Sequence, residues 1–231
     1  MAIKVPDINM EFSGQFTAEA PLAVKYIRKT YGSIVNAAAR SLGIDPNLLI
    51  AFMIIESAKM DGSGQVNPKA TSPAGAKGLM QLTPATAWDA VTKQAPVMDS
   101  QQVTVISKYL PGLIKPGGFT GFLSNYKDKL NTAMYEAEFS IWVGAMQLAQ
   151  LCKYVINKTG SLNLSQVVVI YNAGQGNWNK WVVKNDLSKS DSTALVKGLQ
   201  VAGGLKESRQ YIVKLMGKGG SLEAAIKNPT A

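Results

Sequence analysis

DPNLLIAFMIIES, residues 45–57, predicts an apolar helix around which the rest of the chain can fold. An aspartate at an N-cap accepts a hydrogen bond from a free amide of the first turn, and a proline in that turn lacks an amide that would be left unpaired. Asp45 and Pro46 therefore mark the start of this helix, and the pattern extends it to about residue 60.

Glu56 is the unusual residue of this helix. At about 100° per residue it falls in the middle of an apolar face. Burial there disfavours the ionised carboxylate and raises its pKa, which is the property that a general acid needs near neutral pH. The same pattern also fits a structural glutamate that is neutralised by a lysine. The other members of the face are Leu49, Phe52, Met53 and Met60.

Helical patterns on both sides of this segment predict a mainly α-helical chain. The first runs from about 23 to 42 and ends at Gly43, a residue type that commonly follows a helix. Residues 61–76 are rich in Gly, Ser, Pro and Asn and predict an ordered loop, after which Thr83-Pro84 starts another helix. Residues 95–133 are less regular. Further helical patterns cover about 134–158, 163–173 and 205–216.

The composition restricts the chemistry that the chain can perform. It contains no histidine and one cysteine, Cys152. These counts exclude Ser-His-Asp and Cys-His catalysis, HExxH zinc sites and internal disulfides. We therefore expect no metal and no cofactor, and a site that is built from carboxylates, hydroxyls, amides and lysines.

The net charge of +9 favours an anionic partner, which could be nucleic acid, anionic lipid or an acidic wall polymer. No nucleic-acid-binding motif is present, so we do not expect a nucleic-acid partner. The N-terminal sequence MAIKVPDINMEFSGQF lacks the features of a secretory signal, and the longest apolar run, residues 48–55, is too short to span a bilayer. We expect synthesis in the cytoplasm without a signal peptide, and no integral membrane segment.

Polar residues after the Glu56 helix suit the binding of a sugar. Gly75 and Gly78 let the backbone turn tightly and approach a ligand closely. The Gln81 amide and the hydroxyls of Ser57 and Ser72 can hydrogen-bond sugar amides or hydroxyls. Each of these residues also fits an ordinary loop or helix end.

A second polar block, Tyr171-Asn172-Ala173-Gly174, ends a predicted helix and brings a phenol and an amide together. The phenol can orient a nearby carboxyl group, or it can simply cover the core.

Together these blocks resemble the lytic transglycosylases of the soluble-lytic-transglycosylase (SLT) type, family 1-like, in the lysozyme-like superfamily. The resemblance covers roughly residues 45–215 in four ordered blocks, which makes it specific. The matching residues are Glu56-Ser57; Asn67-Pro68, Ala70, Ser72 and GAKGLMQLTP at 75–84; YNAG at 171–174; and ESRQYI at 207–212, where Ser208 replaces a threonine.

The chain departs from the family pattern in two places. SIWVGAMQL, residues 140–148, keeps the frame of an Asn-Ile-x-x-Gly-x-x-Tyr-Leu helix but has Ser140 and Gln147 in place of the Asn and the Tyr. The separation of Met80 and Tyr171 is about twice the usual one. We therefore predict an inserted segment at about 92–133 that edges the substrate groove.

The resemblance implies a lysozyme-like helical fold of the kind that goose-type lysozyme and the SLT enzymes share. Outside the resemblance, we expect a helical lead-in, residues 1–40, that packs on a catalytic domain, residues 41–231. The implied substrate is the glycan strand of peptidoglycan, cleaved between N-acetylmuramic acid and N-acetylglucosamine.

The resemblance also implies roles for single residues. Glu56 would protonate the glycosidic oxygen and then, as a base, accept the proton of the C6 hydroxyl, which leaves a 1,6-anhydromuramyl end. Tyr171 would orient Glu56. The residues expected to bind the sugars are Ser57, Ser72, Gly78, Met80, Gln81, Asn172 and Glu207.

Two alternatives stay open. A goose-type lysozyme would hydrolyse the same bond with water and needs a carboxylate to activate it, for which Asp61 is poorly spaced and Glu136 or Glu138 are candidates. An inactive wall-binding virion protein would have no reason to keep Glu56. The absence of carboxylates between Asp61 and Asp89 favours the transglycosylase.

The expected location follows from the predicted cleavage of the cell wall and from the lack of a secretory signal. A wall-cutting enzyme that is made without a signal peptide needs another route to the cell wall. We expect a bacteriophage virion or holin-type release to provide it, with other virion or lysis proteins as partners.

Overall fold

The computed structural model describes residue 3 and residues 19–59, 61–115, 118–119 and 121–229. This part of the chain is mainly helical, as predicted, with short turns of 3₁₀-helix at Ala95–Val97 and π-helix at Asn179–Val183. Its one sheet is the antiparallel pair β1 (Ile114–Lys115) and β2 (Gly118–Phe119). The α-helices are α1 (Ala20–Leu42), α2 (Pro46–Ser57), α3 (Pro84–Gln94), α4 (Ser100–Tyr109), α5 (Leu123–Ala133), α6 (Ala137–Thr159), α7 (Leu164–Trp178), α8 (Ser192–Val201), α9 (Lys206–Met216) and α10 (Ser221–Lys227).

Helix α2 lies at the centre of the core. Every side chain from Leu48 to Ile54 is at most 1% exposed. A helix that is apolar all round must be enclosed, and α1, α6, α9 and α10 pack around it. The predicted single apolar face was therefore too narrow a description of this helix.

The two ends of α2 follow from local chemistry. The Asp45 carboxylate accepts a hydrogen bond from the Asn47 amide at 2.8 Å, as expected for an N-cap. The helix ends at Ser57, before the predicted end near residue 60, because the extended backbone at Ala58 pairs with Val66. Met60, which the prediction placed on the apolar face, lies outside the described residues.

Helix α1 is joined to both α2 and the C-terminal helix. The Arg28 guanidinium donates to the carbonyl oxygens of Ala225 and Asn228, at 3.1 and 2.7 Å, and to Oδ1 of Asn47 at 2.7 Å. The last carbonyls of a helix lack intrahelical partners, so a cation is favourable there. The predicted boundary at residue 40 falls inside α1, and apart from Ile3 the first 18 residues lie outside the described part of the chain.

The segment 92–133, predicted as an insertion, folds into the end of α3, α4, the β1–β2 pair and α5. Helix α4 packs on α6, and α5 packs on α3. The segment therefore supplies part of the core and is more than an edge. The buried side chains of segment 92–133, each at most 6% exposed, include Val105, Ile106, Leu110, Leu113 and Leu130.

None of the helices in the described residues combines the length and the apolar content that a bilayer span requires.

The loop between α2 and α3 packs against the start of α6 through Gly78. This residue is buried and has φ +75°, and a Cβ built on it would lie 1.9 Å from the Met134 carbonyl oxygen. Gly75 has a similar φ of +81°, but a Cβ there would meet nothing within 4 Å. The two glycines therefore share a backbone requirement and differ in packing.

Replacing each glycine by alanine separates these two effects. Gly75→Ala is expected to cost only the left-handed backbone strain, about 1–2 kcal/mol of the free energy of unfolding. Gly78→Ala adds a clash with a backbone oxygen and should cost at least about 1–3 kcal/mol more. Urea denaturation of both variants measures the difference, and equal midpoints would show that the loop does not need this close approach.

Candidate active site

A groove of about 910 Å³ crosses the surface at the C-terminal end of α2, and Glu56 lies in its wall. The other walls come from residues 72–83 of the loop, one face of α3, one face of α6, the end of α7 and the first turn of α9. From the predicted insertion, Lys93 alone lies among the lining residues that the structure describes. The other described residues of 92–133 do not line the groove, and that this segment is an insertion stays a prediction.

Glu56 is largely buried, and this burial raises the pKa of its carboxyl from 4.5 to about 7. A hydrogen bond from the Tyr211 hydroxyl to Oε1, at 2.8 Å, acts in the opposite direction, and the negative charge of Glu207 raises the pKa further. Near neutral pH both protonation states of Glu56 are therefore populated. This is the property required of a group that must first donate and then accept a proton.

Two tyrosines lie beside Glu56 and have different partners. The Tyr211 hydroxyl donates to Glu56, whereas the Tyr171 hydroxyl donates to the Met80 carbonyl oxygen at 2.6 Å. Both rings pack on Phe52, with centroid distances of 4.8 Å for Tyr171 and 5.7 Å for Tyr211.

The sequence predicted that Tyr171 orients Glu56, but in the structure the hydrogen bond to Glu56 comes from Tyr211. Tyr211 was not singled out, although a signal was present. It lies four residues after Glu207, so both side chains point to the same side of a helix.

Four of the predicted sugar-binding residues line the groove: Ser72, Gln81, Asn172 and Glu207. Their hydrogen bonds fix which atoms remain for a ligand. Nε2 of Gln81 donates to the carbonyls of Ala70 and Gly78, at 3.1 and 2.9 Å, so its oxygen is left as an acceptor.

Asn172 is oriented in the complementary way. Its Oδ1 accepts from the Ser208 hydroxyl at 2.5 Å, which leaves its amide N–H groups as donors. Ser208 replaces the threonine of the family pattern and retains the hydroxyl that this contact uses.

Ser57, Gly78 and Met80 do not line the groove. The prediction that they bind the sugars is therefore wrong. The Ser57 hydroxyl is buried and donates to the Met53 carbonyl at 2.8 Å. Met80 is 0% exposed, and its side chain lies against Gly144 of α6. As described above, Gly78 packs on backbone. These residues shape the walls of the groove and do not face into it.

Helix α6 departs from the family pattern at one buried position, Ser140, and at one position in the groove wall, Gln147. The Ser140 hydroxyl accepts from the Met80 amide at 3.2 Å and so supports the loop. Gln147 lines the groove, half-buried.

Carboxylates other than Glu56 lie in the groove at Asp89 and Glu207. Glu136 and Glu138, the sequence candidates for activating water, form ion pairs with lysines and do not line it. The described residues contain no group of three or more Asp, Glu or Cys side chains that could hold a metal ion.

Comparison with known proteins gives the site a context. Residues 33–105, which include Glu56 and the loop, match the model of the Transglycosylase SLT domain. No curated protein is similar enough to the chain to count as a match.

Solved structures of soluble lytic transglycosylases share the fold. An inactive mutant of Slt from Pseudomonas aeruginosa has a TM-score of 0.51 and 20% identity, covering 90% of this chain and 26% of that one. The 70-kDa enzyme of Escherichia coli has a TM-score of 0.50 and 23% identity, covering 84% and 23%. A 70-kDa soluble lytic transglycosylase in complex with bulgecin A has a TM-score of 0.50 and 25% identity, covering 79% and 22%.

This chain spans about a quarter of the length of these proteins. The match at residues 33–105 and the shared architecture agree with each other. Residues 33–105 therefore resemble a transglycosylase SLT domain, and the mainly α-helical fold of the described residues is similar to that of these solved lytic transglycosylases.

Proposed function

We propose that this chain is a peptidoglycan lytic transglycosylase that uses Glu56 as both acid and base. The observation that carries the proposal is a carboxyl group with a pKa of about 7 in the wall of a groove that is lined with amides and hydroxyls. The SLT domain match and the shared fold support the substrate class.

The proposed reaction has two proton transfers at one residue. Protonated Glu56 donates to the glycosidic oxygen between N-acetylmuramic acid and N-acetylglucosamine, and the C1–O bond breaks. The muramyl N-acetyl group stabilises the positive charge at C1, as in other substrate-assisted glycosidases. Glu56, now ionised, accepts the proton of the C6 hydroxyl as its oxygen bonds to C1, and this closes the 1,6-anhydro ring.

Hydrolysis is the second candidate, and one observation favours it. Asp89 and Glu207 lie in the groove, so a carboxylate is available that could activate water. Asp89 is paired with Lys93 at 2.6 Å, and Glu207 is exposed. The chemical identity of the new chain end separates the two reactions. Delivery by a phage particle or a phage lysis system stays a prediction from the sequence.

Mass analysis of the fragments released from purified cell wall tests the proposed reaction. We expect anhydro ends, which are lighter than reducing ends by one water. Glu56→Gln should lower the rate at least about 100-fold, because it removes the general acid while its side-chain oxygen still accepts from Tyr211. Reducing ends would assign the chain to the lysozymes, and an active Glu56→Gln variant would remove Glu56 from the mechanism.

The raised pKa of Glu56 also predicts how stability depends on pH. Because the folded state holds the proton more tightly than the unfolded state, the wild type loses stability as the pH rises from about 4.5 to about 7, and the loss is constant above that. Glu56→Gln does not titrate. It should therefore match the wild type near pH 4 and exceed its free energy of unfolding by up to about 3 kcal/mol at pH 8. Urea titrations at both pH values measure this, and a difference that is the same at both would contradict the assigned pKa.

Replacing each of the two tyrosines by phenylalanine should affect the pH profile of activity differently. The hydrogen bond from Tyr211 stabilises ionised Glu56, so Tyr211→Phe should move the alkaline limb of kcat/KM to higher pH. Tyr171→Phe removes a hydrogen bond to a backbone carbonyl and should leave that limb in place. Profiles of kcat/KM on solubilised glycan strands measure both. A shift in Tyr171→Phe alone would return the orienting role to Tyr171.

A further inference from the structure

One face of α6 forms a polar stripe along the groove. Gln147, Gln150, Leu151 and Tyr154 follow at helical spacing and all line it. At a rise of about 1.5 Å per residue, the stripe covers about 10 Å of the helix axis. The stripe carries amides and a phenol and no ionisable carboxylate or amine, so it suits a neutral ligand.

The polar side chains of the stripe other than Gln147 are Gln150 and Tyr154, and each makes one hydrogen bond. Nε2 of Gln150 donates to the Ala90 carbonyl at 2.8 Å, which fixes α6 to α3. Nε2 of Gln175, from the end of α7, donates to the Tyr154 hydroxyl at 2.6 Å. These contacts hold the walls of the groove in place without a ligand.

Gln147 is the exception. Its side chain is half-buried in the groove wall, and neither its amide nitrogen nor its oxygen has a hydrogen-bond partner among the described residues. Its amide is open to the groove, so a hydrogen bond to a ligand there would replace one to water. A ligand that supplies both a donor and an acceptor would pair with both polar atoms.

An acetamido group has this combination. It offers one carbonyl acceptor and one N–H donor, and a primary amide offers the complementary pair. A carboxylate would satisfy only the donor of Gln147, and a hydroxyl satisfies one atom at a time.

We propose that Gln147 is a specificity-determining residue that pairs with the N-acetyl group of a sugar in the bound glycan. The inference rests on the proposed function for the identity of the glycan. It assigns a chemical role to the position at which this chain has glutamine and the family pattern has tyrosine. Because the stripe itself is uncharged, it suits the neutral sugars of the strand.

Calorimetry with β-1,4-linked N-acetylglucosamine oligomers of increasing length tests the proposal. Glu56→Gln serves as the background, so that no substrate is cleaved. Adding Gln147→Ala should weaken binding of the longer oligomers about 3- to 10-fold. Gln147→Glu keeps the size of the side chain but loses the donor, and it should weaken binding as much. Gln101→Ala, at an exposed glutamine of α4 outside the groove, is the matched control and should change nothing.

Oligomers that have been de-N-acetylated provide the chemical control. They should bind weakly to the background and show no further loss with Gln147→Ala. An equal loss with acetylated and de-acetylated oligomers, or no loss with either, would overturn the inference.

Failure of the proposed function gives a different pattern. If the wild-type chain cleaves no cell wall, but its Glu56→Gln variant binds acetylated oligomers through Gln147, the subsite is supported and the proposed reaction is contradicted. If the chain cleaves normally after Gln147→Ala, with unchanged affinity for every oligomer, the proposed reaction is supported and the subsite is contradicted.

Discussion

The structure depends on the enclosure of one helix that has no polar side. From Leu48 to Ile54, α2 presents apolar side chains in every direction, so helices from both ends of the chain must cover it. Removing apolar surface from water contributes roughly 25 cal/mol per Å², and α2 contributes almost all of its side-chain surface. The position of Glu56 follows from this enclosure, because it is the first residue after the buried run that can reach solvent at the groove.

The same enclosure supplies the chemistry. A carboxyl group at the end of a fully buried helix is separated from most of its hydration, and this raises the pKa of Glu56 to about 7. The Tyr211 hydroxyl offsets part of that effect and at the same time fixes the orientation of the carboxyl group. It belongs to α9, which also covers α2, so the helix that helps to bury Glu56 also carries its hydrogen-bond donor.

Local signals in the sequence predicted the environment of Glu56 but not its neighbours. The Asp45 cap and the buried apolar run are confirmed in the structure, and burial raises the pKa of Glu56 as expected, while its role as the acid stays a proposal. The contact from Tyr211 to Glu56 joins residues that are 155 positions apart, and the spacing of Tyr211 from Glu207 places both on one side of a helix without specifying this partner. Gly78 was assigned to ligand approach because a glycine in a loop looks the same whether it meets a sugar or the Met134 carbonyl. Helix α4 and helix α5 were missed because prolines and glycines interrupt the region around them, and only packing on α6 and α3 shows how much of the core they form.

The two departures of α6 from the family pattern differ in physical kind. Ser140 provides a hydrogen-bond acceptor for the Met80 amide, and the asparagine that it replaces also carries an acceptor, so a support of the loop survives the change. A glutamine in place of a tyrosine removes an aromatic surface and puts a separate donor and acceptor where the tyrosine has one hydroxyl. One helix thus retains the contact that builds the site while it alters the contact that a substrate would meet. The difference follows from position, because Ser140 faces the buried loop, where few side chains can satisfy the Met80 amide, and Gln147 faces the open groove, where the ligand sets the requirement.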